Sequence, residues 1–175
     1  LICSFGVFVP FVHLVPYAQD HRIPPGQAVW LLSLIGIGST IGRFAFGSVA
    51  DRLGRRRSLA LTYLGMGLML FWWLASGTFW QLALFALVFG TCYGGFVALV
   101  PALSMDYFGG RSLSSIIGVL YTSVALGTLA GPPLAGAAFD LYQSYLLPIS
   151  ISAAACLIGA ALTALLPEPE HWRGY

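Results

Sequence analysis

The sequence predicts an all-α membrane protein with six spanning helices, on three observations. Hydrophobic residues make up 58% of the 175 residues and charged ones 8%, where a soluble domain carries roughly 25% charged. Six stretches approach the ~20 apolar residues that a bilayer-crossing helix needs. With one exception, an arginine inside the second stretch, the basic residues fall between the stretches or after the last.

The stretches are residues 1–18, 28–50, 58–75, 79–105, 113–139 and 145–166, joined by 19–27, 51–57, 76–78, 106–112 and 140–144. The first is short because the chain starts inside it, with no basic region or cleavage site ahead of it; it reads as part of a longer protein and not as a signal peptide. Pro10 and Pro16 in that stretch, Pro101 in the fourth and Pro132-Pro133 in the fifth are expected to kink or break their helices. Gly38 and Gly42, Gly90 and Gly94, and Gly127 and Gly131 form GxxxG pairs, which let helix backbones approach closely inside a bilayer. Residues 1–166 are therefore expected to form one helical bundle, and 167–175 a polar tail.

Orientation follows from the arginines. Alternating the connections between two sides puts Arg52, Arg55, Arg56, Arg57, Arg111 and Arg173 on one side and Arg22 on the other. Basic residues are retained on the cytoplasmic face, so the arginine-rich connections and the C-terminus are expected there, in a plasma (inner) membrane. Trp30, Trp72, Trp73, Trp80, Tyr142 and Tyr145 are expected as interfacial aromatics at the opposite end.

Several function classes are excluded or disfavoured. All eight basic residues are arginine, which excludes a Walker-type phosphate loop and a Schiff-base lysine within these residues. The run Gly36-Ile-Gly38-Ser39-Thr40-Ile41-Gly42 imitates a dinucleotide loop but lies inside a span with one residue too many. Cys3, Cys92 and Cys156 have no metal or disulfide spacing and read as buried thiols. Three scattered histidines and no nucleophile motif argue against an enzyme, and no cofactor is implied.

Arg43 is the residue that asks for a function. It lies eight positions before Asp51, roughly 12 Å along a helix, which puts it near the middle of a hydrocarbon core about 30 Å thick. A guanidinium there is costly unless something uses it. Its planar fork accepts a carboxylate in two parallel hydrogen bonds, so binding of a small organic anion is the favoured reading. The competing reading is a structural arginine held by backbone carbonyls or a neighbouring acid.

The run Gly47-x-x-x-Asp51-Arg52-x-Gly54-Arg55-Arg56 resembles the cytoplasmic loop signature of the major facilitator superfamily. Three further segments resemble helices seven, ten and eleven of monocarboxylate-type transporters. These are Gly6-Val-Phe-Val-Pro10-Phe11-Val-His13-Leu-Val-Pro16-Tyr17-Ala18, the piece from Phe89-Gly90 to Met105-Asp106, and Gly131-Pro132-Pro133-Leu-Ala-Gly136 with Asp140 after it. The resemblance implies helices seven to twelve of a twelve-helix carrier, completed by an N-terminal six-helix half, with substrate bound between the halves near the midplane. One half alone should not transport.

The resemblance also assigns roles. Arg43 falls where those transporters hold the substrate carboxylate, and Ser39 stands where many of them carry an acid implicated in proton coupling. Tyr93, one turn after Phe89, matches an aromatic that lines the site; Tyr121 is a weaker lining candidate. His13 is a candidate for lining the cavity and, less strongly, for titration near physiological pH; a hydrogen-bonded structural histidine competes with both. Gly47, Asp51, Arg52, Gly54, Arg55 and Arg56 would form a gate in which the acid pairs with an arginine and caps a helix N-terminus of the opposite half. A solvated basic loop retained for topology is the competing reading, and Arg111 and Asp106 are expected to serve topology alone. The function implied is alternating-access, proton-linked transport of small monocarboxylates such as lactate or pyruvate, with the small organic anion, protons and the lipid bilayer as partners. The alternatives are an oxalate/formate-type antiporter, disfavoured because 113–139 holds no second cation, and a transport-inactive scaffold or receptor.

Overall fold

A computed structural model describes residues 2–111 and 113–167, and every regular element among them is a helix. The expected tail beyond residue 167, with Arg173, lies outside the described residues. The elements are α1 (Ile2–Val7), α2 (Val9–Asp20), α3 (Pro25–Leu53), α4 (Arg55–Leu74), α5 (Phe79–Phe108), α6 (Leu113–Tyr142) and α7 (Leu146–Leu165). By length and composition, α3, α5, α6 and α7 are apolar and long enough to cross a membrane. Helix α4 spends its first turn on three arginines, and the first apolar stretch is divided between α1 and α2.

That division is the interruption expected from Pro10. Pro10 has no N–H to return to Gly6, so the ladder is interrupted, and the Phe11 N–H instead bonds the Phe8 carbonyl at 3.2 Å. Proline in the first turn of α2 is tolerated because that N–H would have no helical partner anyway. Pro16, Pro101, Pro132 and Pro133, expected to kink or break their helices, each lie inside a continuous helix, so none of them breaks it.

Helix ends are set by caps, which is why α3 and α5 outrun their apolar cores. Pro25 opens α3, and Gly54 closes it at φ 84° and ψ 149°, a conformation that side-chain-bearing residues avoid. Thr78 and Gln81 form a reciprocal capping box that starts α5, and Gly109 closes it at φ 70°.

Packing is densest where α3 crosses α5, and two of the expected glycine pairs make that crossing. A Cβ on Gly42 would lie 1.9 Å from the Thr91 carbonyl oxygen, and one on Gly94 would lie 2.0 Å from that of Ser39. Gly38 and Gly90 face Leu87 and Ile35 carbonyls at 2.3 Å in the same way. Backbone thus meets backbone, with no room for a methyl group. Helix α4 packs on α5 and α7, and α1 packs on α6 and α7. Trp73 does not sit at the interface as expected: it is fully buried, stacked on Phe85 at 5.2 Å. Trp30, Trp72 and Trp80 are exposed. Helix α6 is the least covered, with only 6% of its most apolar stretch buried.

Candidate functional site

Arg43 lies on α3 one residue past Gly42, at the edge of the α3–α5 crossing, and is exposed on this helical body. It makes no salt bridge or hydrogen bond among the described residues, so the structural-arginine reading finds no partner there. Its charge acts electrostatically on the Tyr93 hydroxyl of α5, and so does the Tyr121 hydroxyl of α6. Arg43 of α3 and Tyr121 of α6 are thus both within electrostatic reach of Tyr93. Tyr93 is half-buried and Tyr121 is exposed.

An aromatic wall continues from Tyr93 and includes two rings that sequence reasoning did not single out. Phe11 meets Tyr93 edge-on at 5.1 Å, and Phe8 meets it edge-on at 6.0 Å. Both stand at the α1–α2 break, which turns that short segment toward α5. Pro10 was the available signal: it marked the break, and the aromatics flanking it are the side chains the break displaces. The result is one cation near three half-buried rings, of which Tyr93 carries a hydroxyl, with the exposed Tyr121 hydroxyl nearby. Such a surface suits a molecule that is anionic at one end and apolar at the other.

The other candidates separate into neighbours and supports. Phe89 is fully buried, stacked on Phe85 at 5.3 Å and edge-on to Phe11 at 6.4 Å, so it backs the aromatic wall without an exposed face. Ser39 is buried too, its carbonyl pressed against Gly94. His13 shares a hydrogen bond of 3.0 Å with the Pro132 carbonyl, tying α2 to the proline pair of α6, and its ring lies 6.0 Å from that of Tyr145. Tyr17, one turn on, donates to the Ser76 carbonyl at 3.0 Å and is part of the core.

At the arginine-rich end, Arg55 forms an ion pair with Asp106 and also donates to the Ala102 carbonyl at 3.3 Å. Asp106 thus joins α4 to α5, a structural role beyond the topological one expected of it. Arg56 donates to the Ala164 and Leu166 carbonyls at the end of α7, where the helix dipole favours a cation. Asp51 and Arg52 are exposed, and neither makes a salt bridge among the described residues. Asp51 and Asp106 each stand three residues before a closing glycine, where the helix dipole disfavours an acid. Asp106 is offset within this body and Asp51 is not. Gly54 is required by its backbone conformation, whereas a Cβ on Gly47 would meet nothing within 4 Å.

The comparisons with known proteins bear on the family of the chain. The family model described as Major Facilitator Superfamily matches residues 1–174. The chain is 32% identical over 166 residues to Monocarboxylate transporter 12-B of Danio rerio, an alignment covering 93% of this chain and 35% of that protein. It is 34% identical over 149 residues to Monocarboxylate transporter 12 of Xenopus laevis, covering 83% and 32%. The aspyridones efflux protein apdF of Emericella nidulans is 28% identical over 160 residues, covering 91% and 33%. The chain thus spans about a third of the length of the curated relatives it matches.

Proposed function

We propose, since the chain belongs to the major facilitator superfamily, that it is the six-span C-terminal half of a carrier moving small monocarboxylates by alternating access. The multi-pass helical body and relatives named as transporters support the coarser statement. The observation that carries the finer one is Arg43, a mid-helix cation with no acid partner among the described residues, set beside Tyr93. In a cleft of low dielectric such a guanidinium selects anions, and its fork orients a carboxylate. Tyr93, Phe8 and Phe11 would receive the apolar part of the substrate, with Tyr121 closing one side.

An N-terminal six-helix half would supply the opposite wall. Asp51 fits a contact across the two halves, because the dipole penalty at the end of α3 is relieved only by a partner from outside this body. Gly47 fits the same contact, its open surface allowing another backbone to approach. We assign the arginine-rich end to the cytoplasm on the charge bias. Proton linkage would draw on a group of the other half, since Ser39 replaces the family's acid and His13 is tethered to Pro132.

Uptake tests the reading. With the full-length protein in proteoliposomes, Arg43→Ala should abolish uptake of lactate- or pyruvate-like anions while the variant inserts and folds normally. Uptake unchanged in that variant would remove the anchor. A second reading, export of a larger organic product, is favoured by the likeness to an aspyridones efflux protein. It predicts that bulky organic anions, and not lactate, compete for the same arginine.

A further inference from the structure

Three helices end together at the pole away from the arginine-rich connection. The C-termini of α2, α4 and α6 meet the start of α7 there, around a pocket of about 470 Å³. Tyr17, Asp20, His21, Phe139 and Tyr145 line it, with Leu74 from the last turn of α4. None of the three helices has a basic residue in its last turn, so the negative end of each dipole lacks a cation of its own. Local hydrogen bonds fix the lining. Gln143 turns the chain at φ 50°, its side-chain amide donating to the Asp140 carbonyl at 3.1 Å, and Ser144 Oγ accepts from the Leu146 N–H at 3.2 Å. Tyr145, next in the chain, stacks on Phe139 at 4.2 Å and meets Tyr17 edge-on at 5.4 Å. His21 stacks on Tyr17 at 4.3 Å, and its Nδ1 donates to the Tyr17 carbonyl at 2.9 Å. In the neutral imidazole Nε2 is then an acceptor. The charges of Asp20 and Asp140 both reach the Tyr145 hydroxyl, and neither acid forms a salt bridge among the described residues. Arg22 neither lines the pocket nor pairs with Asp20.

From this arrangement we infer that the pocket binds a small organic cation carrying an ammonium group, its N–H donors on Asp20 and His21 and its apolar body against Tyr145 and Phe139. An ammonium has three donors and no acceptor, which complements a lining of carboxylate and imidazole acceptors. Rings and carboxylates together attract a cation and repel the kind of anion that Arg43 suits. Three helix dipoles add to the same sign of field. The described residues hold no group of three His, Cys, Asp or Glu side chains able to hold a metal ion, and the aromatic walls suit a cation with an apolar body. None of these groups belongs to the Arg43 surface, so the pocket is separate from the site proposed for the transported substrate.

Benzylamine, protonated at neutral pH, is the probe, and thermal unfolding of the purified full-length protein is the readout. Benzylamine should raise the unfolding temperature in a saturable way, while benzyl alcohol and sodium chloride at the same concentrations should not. Asp20→Asn, at an exposed position, should weaken benzylamine binding about fivefold, the scale of a partly exposed ion pair, and Asp20→Glu should restore most of it. Asp20→Asn combined with Asp140→Asn should abolish the response, and Arg43→Ala should respond as wild type does. No response of wild type to benzylamine would overturn the inference, as would an equal response to sodium chloride. An equal response to benzyl alcohol, or unchanged affinity in the double variant, would overturn it by showing an apolar pocket indifferent to charge. A response lost in Arg43→Ala would overturn it too, by placing the amine at the substrate site.

Discussion

Arg43 and Asp51 share one helix and face opposite problems. At the mid-membrane depth proposed for Arg43 a guanidinium would cost about 2.5–3.5 kcal/mol on insertion scales, and no acid among the described residues pairs with it. Asp51 lies at the exposed end of α3, where water solvates it and only the helix dipole opposes it. The two motif glycines also differ. Gly54→Ala should destabilise the protein by about 1–3 kcal/mol, because the backbone at φ 84° and ψ 149° is essentially restricted to glycine. Gly47→Ala should leave thermal unfolding unchanged or slightly raised, since no neighbour stands within 4 Å, yet should slow transport if that surface meets the other half. A thermal-shift assay paired with uptake on both variants separates the two glycines. Equal loss of stability in both would refute this division of labour.

Among the elements, the α3–α5 crossing and the α4–α5 pairing hold the site in place, and they were not equally legible in the sequence. The GxxxG spacings pointed to close helix contact, and two of the pairs make that contact by interleaving with each other. Gly94→Ala should therefore cost at least the 1–3 kcal/mol typical of overpacking, because the obstructing atom is backbone and cannot rotate away. Gly36→Ala, on the facing helix α3 with open space around it, should be tolerated. Expression and thermal stability of the two variants would expose the error if Gly94→Ala behaved like Gly36→Ala. The Arg55–Asp106 ion pair was not legible, because its members are 51 residues apart and no local pattern joins them. A double-mutant cycle with Arg55→Gln and Asp106→Asn should give a coupling of about 0.5–3 kcal/mol; additive effects would show that the pair does not bind α4 to α5. The apolar stretches after the first coincide with α3 to α7 to within three residues at each end. The break at Phe8, beside which Phe8 and Phe11 meet Tyr93, was signalled by Pro10, and it falls two residues earlier because proline acts on the hydrogen-bond ladder away from its own position. Trp73 was misread because a tryptophan near a helix end looks interfacial until a neighbouring helix covers it.

On the scale of the whole molecule, this body leaves its least covered helix, α6, and its site cation on open surface. A second six-helix half placed against that surface would turn it into a cleft, with Arg43, Tyr93 and Tyr121 on one wall. Alternating access then depends on contacts that form in one state and break in the other, and Asp51 is the group here suited to such a contact. Asp51→Asn should slow substrate exchange while leaving equilibrium affinity within a few-fold, since it shifts the balance between states and not the site itself. Unchanged exchange rates in reconstituted full-length protein would remove Asp51 from the gate. The most direct measurement is carboxylate binding to the purified full-length protein, read as thermal stabilisation across a panel of anions. Wild type should be stabilised by small monocarboxylates and not by their amides, and Arg43→Ala should unfold cooperatively at a similar temperature with no response to any of them. Stabilisation of Arg43→Ala by the same anions, at the same concentrations as wild type, would mean that the carboxylate is held elsewhere.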